Sequence, residues 1–172
     1  MNFTNSHLNF EDLPTLNPLE LKRISKQYFK IVALNRFVFY IILISVVFVL
    51  KKIISEDSFQ NYFWIGFLAL LILFVLDFTV ATIAFKKRKY SVREHDIIYS
   101  KGLIVYYRTT IPLNRIQHVE ISKSWLERYF GLASLKIYTA GDSGGDLKIS
   151  GLVDNEADSV YAFISKKINA DH

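Results

Sequence analysis

Residues 141–145, with the sequence GDSGG, have the residue order found around the nucleophilic serine of trypsin-like proteases. Serine attack on a peptide needs a histidine that takes the hydroxyl proton and a carboxylate that orients this histidine. Neither His95 nor His118 lies in a segment resembling the histidine motif of those enzymes, and the chain is too short for their double barrel. Alternating apolar residues flank the pentapeptide, so we interpret it as the loop of a β-hairpin.

The residue types that bind metal ions are scattered along the chain. The four histidines are His7, His95, His118 and His172, and no two have the spacing that places a pair of ligands on one helix face. The chain contains no cysteine, which excludes disulfides and thiolate ligands. We therefore predict no metal site, no cofactor and no catalytic residue.

Arg36 and Asp77 are charged residues inside otherwise apolar segments. An ionisable group there costs several kcal/mol unless it finds a partner or water. Arg36 lies fourteen residues before Leu50, and Asp77 lies fourteen residues after Phe63, so an antiparallel hairpin places both at one depth. We predict an ion pair that fixes helix pairing. An ion or proton pathway, snorkelling and pairing between subunits remain alternatives.

Two apolar runs, residues 31–50 and 63–85, must position this pair. A bilayer core about 30 Å thick requires roughly 20 apolar residues in a helix. Both runs are long enough, and the rest of the chain is too small to bury them as core helices. We predict a transmembrane hairpin over residues 31–85.

Positive charge is concentrated where the second run ends, at Lys86, Lys87, Arg88 and Lys89. Residues 90–172 carry ten basic and ten acidic side chains, so the net charge of +5 does not indicate nucleic-acid binding. The positive-inside rule places both termini in the cytoplasm, in a multi-pass protein of the cytoplasmic membrane. We also expect this basic run to bind the membrane surface, at about 1 kcal/mol per cation.

Residues 1–30 precede the first span. Residues 1–16 are polar and without periodicity, which predicts a loosely ordered tail. Residues 17–20, with the sequence NPLE, are typical of a helix start. Leu21, Ile24, Tyr28 and Ile31 would share one face of that helix, which either lies along the inner membrane surface or extends the first span.

From residue 90 the apolar residues alternate, and we predict a third region, residues 86–172, made of short strands. Ser124 and Glu127 form a capping box, and Gly131 ends the short helix that follows. A last helix begins at Asp154 and carries an apolar stripe of Ala157, Val160, Tyr161, Ile164 and Ile168. The fold class is α+β, and seven short strands predict a small antiparallel barrel or sandwich, with this helix closing the open end of the barrel. The strand predictions cover residues 90–94, 97–101, 103–108, 109–113, 116–122, 134–140 and 146–150.

Two segments carry a family resemblance. Residues 111–119, IPLNRIQHV, and residues 126–141, LERYFGLASLKIYTAG, resemble the signature of the bacterial PH-like membrane proteins of the YdbS-like family. The resemblance covers about residues 86–167 and implies a pleckstrin-homology-type barrel of seven strands with a C-terminal helix. It supplies no catalytic residue. Arg115, Gln117 and Gly131 match the family pattern, and the resemblance implies that they support the local backbone.

The same resemblance implies a non-enzymatic, membrane-tethered module that self-associates or acts beside a larger PH-like membrane relative, with some members linked to envelope stress or antimicrobial defence. We therefore expect a scaffold for protein association at the cytoplasmic membrane, in contact with membrane lipids and as a homo-oligomer or a complex with such a relative. Alternatives are a membrane enzyme or transport subunit using Asp77 and Arg36, and a sensor of anionic lipid surfaces. Residues 100–102 contain only Lys101 as a basic residue, which makes inositol-lipid recognition unexpected.

Overall fold

The computed structural model describes residues 21–54, 56–140 and 146–170. Its elements follow the order β1 (Lys22–Arg23), α1 (Lys26–Ile53), α2 (Asp57–Lys87), β2 (Lys89–Val92), β3 (Asp96–Lys101), β4 (Tyr107–Pro112), β5 (Ile116–Ser122), α3 (Trp125–Tyr129), β6 (Leu132–Thr139), β7 (Leu147–Val153) and α4 (Asp154–Ala170). The predicted helix start at residues 17–20 and the GDSGG segment both lie outside the described residues.

α1 and α2 form the predicted hairpin, and both helices are longer than the predicted spans. Their 28 and 31 residues correspond to about 42 and 46 Å, so each helix extends beyond a hydrocarbon core of about 30 Å. Only 6% of an apolar 18-residue window in each helix is buried inside the protein. The core-helix alternative requires these side chains to be covered, so the helices instead have the surface of membrane spans.

Aromatic side chains hold the two helices together. Phe37 on α1 contacts Phe74 and Phe78 on α2, with ring centroids 5.3 and 5.6 Å apart. At the far end, Phe48 packs on Phe63 at 5.4 Å. Tilted and edge-to-face rings of this kind contribute about 0.5–1.5 kcal/mol per pair beyond their buried area.

The helix that we expected before the first span is not present over residues 21–25. Lys22 and Arg23 form a strand that pairs with β2, and α1 begins at Lys26 with Ser25 as its N-cap. Ile24 and Ile31 are both buried, at 4% and 5% exposure. The apolar face that suggested a membrane-surface helix therefore packs on protein, and from Lys26 onward the chain is continuous with the first long helix.

The soluble region consists of two antiparallel sheets, with strand orders β1-β2-β3-β4 and β5-β6-β7. The predicted closed barrel is wrong, because no strand ladder joins the two sheets within the described residues. The chain passes between them through a 3-10 turn at Leu113–Arg115. The predicted strand over residues 103–108 is also wrong: β4 begins at Tyr107, and residues 103–105 bend away from the sheet. The seventh strand is β1, which comes from before the hairpin.

One core fills the space between both sheets and α4. Every strand from β2 to β7 contributes an apolar side chain to it, including Ile97 on β3 and Leu135 on β6. α4 contributes Ala157 and Ile164, which have no exposed surface. Tyr161, which we expected in the apolar stripe, is 40% exposed. The α+β class and the C-terminal helix are thus as predicted, while the barrel remains open.

Candidate membrane-facing site

The strand registers identify which end of the soluble region meets the membrane. Lys89, directly after α2, pairs with Ser100 near the end of β3, and Lys101 pairs with Tyr107 at the start of β4. The β3–β4 loop therefore lies beside the last turn of α2.

The second sheet is attached to the start of α1. Ser25, the N-cap of α1, donates its backbone N–H to the carbonyl oxygen of Gly151 on β7, at 2.9 Å. Both sheets are therefore connected directly to the helical hairpin, the first through β2 and the second through this hydrogen bond.

The membrane-proximal end carries exposed apolar and aromatic side chains. Ile104 in the β3–β4 loop is 92% exposed, and Trp125 and Tyr129 on α3 are 71% and 80% exposed. α3 joins the end of β5 to the start of β6 and packs against Ile31 of α1 through Leu126. Aromatic rings at the level of the headgroups are typical of membrane proteins. We call these exposed residues the interfacial surface: Ile104, Val105, Trp125 and Tyr129.

Gly102 shapes the loop that presents Ile104. Its φ is +109°, and a Cβ atom there would collide with the backbone oxygen of Val105. Only glycine fits a backbone that turns back this closely. Tyr106 then returns toward β3, where its hydroxyl donates to Ser100 Oγ at 3.1 Å, so Ile104 is left at the tip.

The four cations of the predicted membrane-surface site occupy the direct connection from α2 to β2. Lys86 and Lys87 form the last turn of α2, Arg88 is its C-cap, and Lys89 opens β2. No additional residue separates the span from the sheet. The cations therefore lie at the membrane edge on a fixed backbone. Lys86 and Arg88 line a cavity that Lys87 and Lys89 do not.

That cavity, about 530 Å³ in volume, lies between the membrane-proximal ends of the two helices. Arg23 and Lys26 line it from the side of α1, opposite the two cations that follow α2. Phe29 and Phe85 form its apolar wall, with ring centroids 5.3 Å apart. Sequence reasoning missed Arg23 and Lys26 as members of this site, because they are about sixty residues from the basic run.

The structure brings the intramembrane pair together. Arg36 Nε donates to Asp77 Oδ2 at 3.0 Å, between α1 and α2. Both side chains remain partly accessible, at 34% and 40%. One carboxylate oxygen of Asp77 thus accepts a hydrogen bond from a charged group on the neighbouring helix. A contact of this kind joins the two helices.

Glu156 on α4 connects the C-terminal helix to β1, which precedes α1, and to β2, which follows α2. Its Oε1 accepts from Lys22 Nζ of β1 at 2.7 Å and from the hydroxyl of Tyr90 of β2. Burial raises the pKa of Tyr90, and the hydrogen bond to the Glu156 carboxylate raises it further. The phenol thus stays protonated as a donor, and β1, β2 and α4 share one carboxylate.

Glu127 forms a second buried anchor, on α3. Ser134 Oγ and the backbone N–H of Ser124 donate to its carboxylate, at 2.6 and 2.8 Å. The predicted capping box is present, since Ser124 also accepts from the Glu127 N–H. Burial alone would raise the pKa of Glu127, but the bonds from Ser134 and Ser124 outweigh it and lower the pKa.

Gly131, the first of the three family-motif residues, links α3 to the start of α4. It follows α3 with a φ of +64°, and its carbonyl oxygen accepts from the backbone N–H of Asp154 at 3.1 Å. The predicted role of Gly131 in ending α3 agrees with this left-handed backbone, which glycine adopts without steric cost.

The other two family-motif residues lie where the chain crosses from the first sheet to the second. Arg115 ends the 3-10 turn, and its carbonyl oxygen accepts from the backbone N–H of Ala140. Gln117 lies at a register shift, where β5 bulges against β6. These placements involve the backbone, and the side chains of Arg115 and Gln117 are exposed.

Within residues 21–54, 56–140 and 146–170, no group of three or more histidine or acidic side chains could hold a metal ion. His118 contacts Glu120 and stacks on Tyr138, and the backbone oxygen of His95 accepts from Leu113.

A transmembrane helical hairpin that continues directly into two facing sheets and a C-terminal helix defines a membrane-anchored protein with a PH-like domain. The chain belongs to the bacterial PH domain family, whose model matches residues 32–168. This match begins inside α1 and includes the hairpin together with the soluble region.

Two curated relatives come from Bacillus subtilis (strain 168). The chain is 36% identical over 63 residues to the UPF0699 transmembrane protein YdbS, covering 37% of this chain and 40% of that protein. It is 31% identical over 98 residues to the UPF0699 transmembrane protein YdbT, covering 54% of this chain and 20% of that protein. The chain thus matches less than half the length of either relative. No solved structure matches it significantly.

Proposed function

We propose that this protein is a non-enzymatic scaffold that presents a PH-like domain at the cytoplasmic face of the membrane, where it associates with proteins through strand β4. The observation that carries the proposal is the open edge of the first sheet. β4 pairs with β3 on one side and with no described strand on the other.

Four consecutive β4 residues, Tyr107, Arg108, Thr109 and Thr110, are exposed. An open edge strand presents backbone N–H and carbonyl groups that another strand can pair with. The edge strands of the second sheet are less accessible for pairing, since α4 packs beside β5 and the start of α1 lies against β7. β4 therefore combines exposed side chains on both faces with an uncovered backbone edge.

A second copy of this chain is the partner that we propose for this edge. Two copies anchored in one membrane are related by a two-fold axis along the membrane normal, so their β4 edges would run parallel and extend the first sheet across both molecules. Because strands are twisted, the two edges would approach most closely at one level. Membrane anchoring favours this arrangement, because it confines both domains to one layer in a common orientation. A larger PH-like relative with the same kind of edge is the alternative partner.

The absence of cysteine allows a direct test. Single cysteines introduced at positions 107–110 are treated in native membranes with a short bismaleimide. We expect crosslinked dimers with a yield that peaks at one or two of these positions, and little product from Lys148→Cys on β7. Equal yields at all sites would overturn the β4 interface, as would a uniformly monomeric product.

A Thr109→Lys variant supplies a second readout. It places like charges close together in a two-fold β4 pair and should reduce dimer yield from a neighbouring cysteine by about tenfold. Lys148→Glu serves as a control on the other sheet. Dimerisation that persists in Thr109→Lys but not in Lys148→Glu would point to a different interface.

The cytoplasmic location is part of the same proposal and rests on the basic residues at the membrane-proximal helix ends. A Glu94→Cys variant tests it, because Glu94 lies in the exposed turn between β2 and β3. We expect labelling by a membrane-impermeant maleimide only after the cells are permeabilised. Labelling of intact cells would place the domain outside.

A further inference from the structure

We propose that the cavity between the membrane-proximal ends of α1 and α2 binds one anionic glycerophospholipid. Its phosphate would lie among Arg23, Lys26, Lys86 and Arg88, and an acyl chain would lie along Phe29 and Phe85. This site is separate from the β4 edge and extends beyond the proposed scaffold function.

The charge of the cavity favours an anion. Four of the eight lining residues are basic, and none is acidic. Within the described ranges, no ion pair includes Arg23, Lys26, Lys86 or Arg88. Basic groups collected between helix ends are a recurring site for acidic lipid headgroups. Their positive charge here is not neutralised by the described part of the protein.

The position of the cavity favours a lipid over a soluble phosphate. Lys26 begins α1 and Lys86 lies in the last turn of α2, so these cations lie at the water side of the spans. Phe29 and Phe85 lie on the lining nearer the membrane, and Phe29 also contacts Phe78, with ring centroids 6.1 Å apart. The lining thus changes from cationic to apolar in the same direction as a phospholipid changes from headgroup to acyl chain.

The dimensions are consistent with part of one lipid. A volume of about 530 Å³ falls within the range of small-ligand pockets, roughly 300–1,000 Å³. It accommodates a glycerophosphate headgroup and the first part of a chain, and the remaining chain would continue beside α2 in the bilayer.

Native mass spectrometry of the full chain in detergent micelles tests the proposal with phosphatidylglycerol as the probe. We expect one tightly bound phosphatidylglycerol and much weaker binding of phosphatidylcholine. The double variant Lys26→Gln/Lys86→Gln should bind phosphatidylglycerol about 30-fold more weakly, because each cation near the surface contributes a factor of about five.

The matched control is Lys30→Gln/Lys87→Gln, which removes the same charge from the same helix ends but outside the cavity. It should retain binding within about threefold of the unmodified chain, because neither side chain lines the site. Equal weakening in both double variants would show diffuse surface attraction and overturn the pocket. Equal affinity for phosphatidylglycerol and phosphatidylcholine would also overturn it.

Two variants that leave the net charge unchanged test the apolar part of the cavity. Thr82 lines the cavity, whereas Thr79 lies one turn earlier on α2 and does not. Both hydroxyls donate to backbone oxygens four residues earlier, at 2.8 and 2.7 Å. Thr82→Phe should fill the cavity and displace the lipid, and Thr79→Phe should not. Unchanged binding in Thr82→Phe would contradict the proposal.

Soluble glycerol 3-phosphate distinguishes a lipid from a free phosphate ligand. We expect it to compete only at concentrations far above those of phosphatidylglycerol, since it lacks the chain that contacts Phe29 and Phe85. Competition at equal concentration would mean that the site recognises phosphate alone, which would overturn the lipid assignment. Matching circular dichroism spectra and gel-filtration profiles among the variants show that each comparison concerns folded protein.

Discussion

Arg36 of α1 and Asp77 of α2 form an ion pair within the membrane hairpin, with 3.0 Å between Arg36 Nε and Asp77 Oδ2. The two residues are 41 positions apart in the chain and meet because the helices run antiparallel. Their sequence neighbours Phe37 and Phe78 are also in contact. The ion pair therefore fixes the relative position of α1 and α2 along their axes more precisely than apolar packing alone would.

A charge exchange distinguishes a structural pair from a transport element. Arg36→Ala or Asp77→Ala should each lower stability in detergent by about 1–3 kcal/mol, because the remaining charge loses its partner. The exchange Arg36→Asp/Asp77→Arg should recover a large part of this loss in a thermal unfolding experiment. An exchange variant no more stable than the single variants would contradict the helix-pairing role.

Gly151 allows α1 to approach β7 closely. Its φ is +83°, and an added Cβ would lie 2.6 Å from Tyr28 Cγ. Gly151→Ala should therefore lower the free energy of unfolding by about 2–4 kcal/mol, through backbone strain and displacement of Tyr28. Thermal or denaturant unfolding in detergent measures this loss.

Gly131→Ala is the matched control, because Gly131 also has a positive φ but no atom lies within 4 Å of its added Cβ. It should cost only about 1 kcal/mol. Tyr28→Ala should partly rescue Gly151→Ala. Equal losses for both glycine variants, or no rescue, would show that the approach of α1 to β7 is not the cause.

Glu127 makes stability depend on acidic pH. Its pKa is lowered in the folded state by the bonds from Ser134 and Ser124, which outweigh the effect of burial. Its contribution is therefore fully present above the unfolded pKa of about 4.5. As the pH falls below this value and through the folded pKa, the contribution is lost.

Glu127→Gln should be less stable at neutral pH by about 1–3 kcal/mol and should lose less on acidification. Ser134→Ala, which removes one donor, should fall between wild type and Glu127→Gln. Thermal unfolding in detergent across neutral and acidic pH measures both effects. Parallel pH profiles for wild type and Glu127→Gln would exclude Glu127 as the titrating group.

The interfacial surface should contact lipid. A fluorophore on Ile104→Cys should be quenched by lipids that carry a quencher in the upper acyl chain, and one on Glu94→Cys should not be. The reason is the strand register, which places the β3–β4 loop beside the end of α2 and the β2–β3 turn at the opposite end. Equal quenching at both positions would contradict this orientation of the domain.

Local patterns account for much of the fold. The two apolar runs predict the hairpin because backbone groups in a bilayer must bond within a helix. The capping box at Ser124 and the helix at Asp154 are set by nearby residues and are found as predicted. The equal depth of Arg36 and Asp77 in the hairpin follows from counting residues along two antiparallel helices.

The wrong predictions share a different cause. The alternation over residues 103–108 resembles a strand, but Gly102 turns the chain and leaves Ile104 outside the sheet. Likewise, the apolar positions Ile24 and Ile31 fit an amphipathic helix until their neighbours are known. Periodicity shows that a residue has an apolar environment and does not show whether protein or lipid provides it.

The sequence alone determined the membrane spans, the neutral charge of the soluble region and most of its strands, because these depend on composition and short-range order. Only the tertiary structure decided that β1 joins the first sheet, that the barrel is open, and that Arg23 and Lys26 meet Lys86 and Arg88 around one cavity. Those relationships arise because the helical hairpin returns the chain to the side from which it started, which brings together residues about sixty positions apart. Local periodicity contains no information about contacts over that separation.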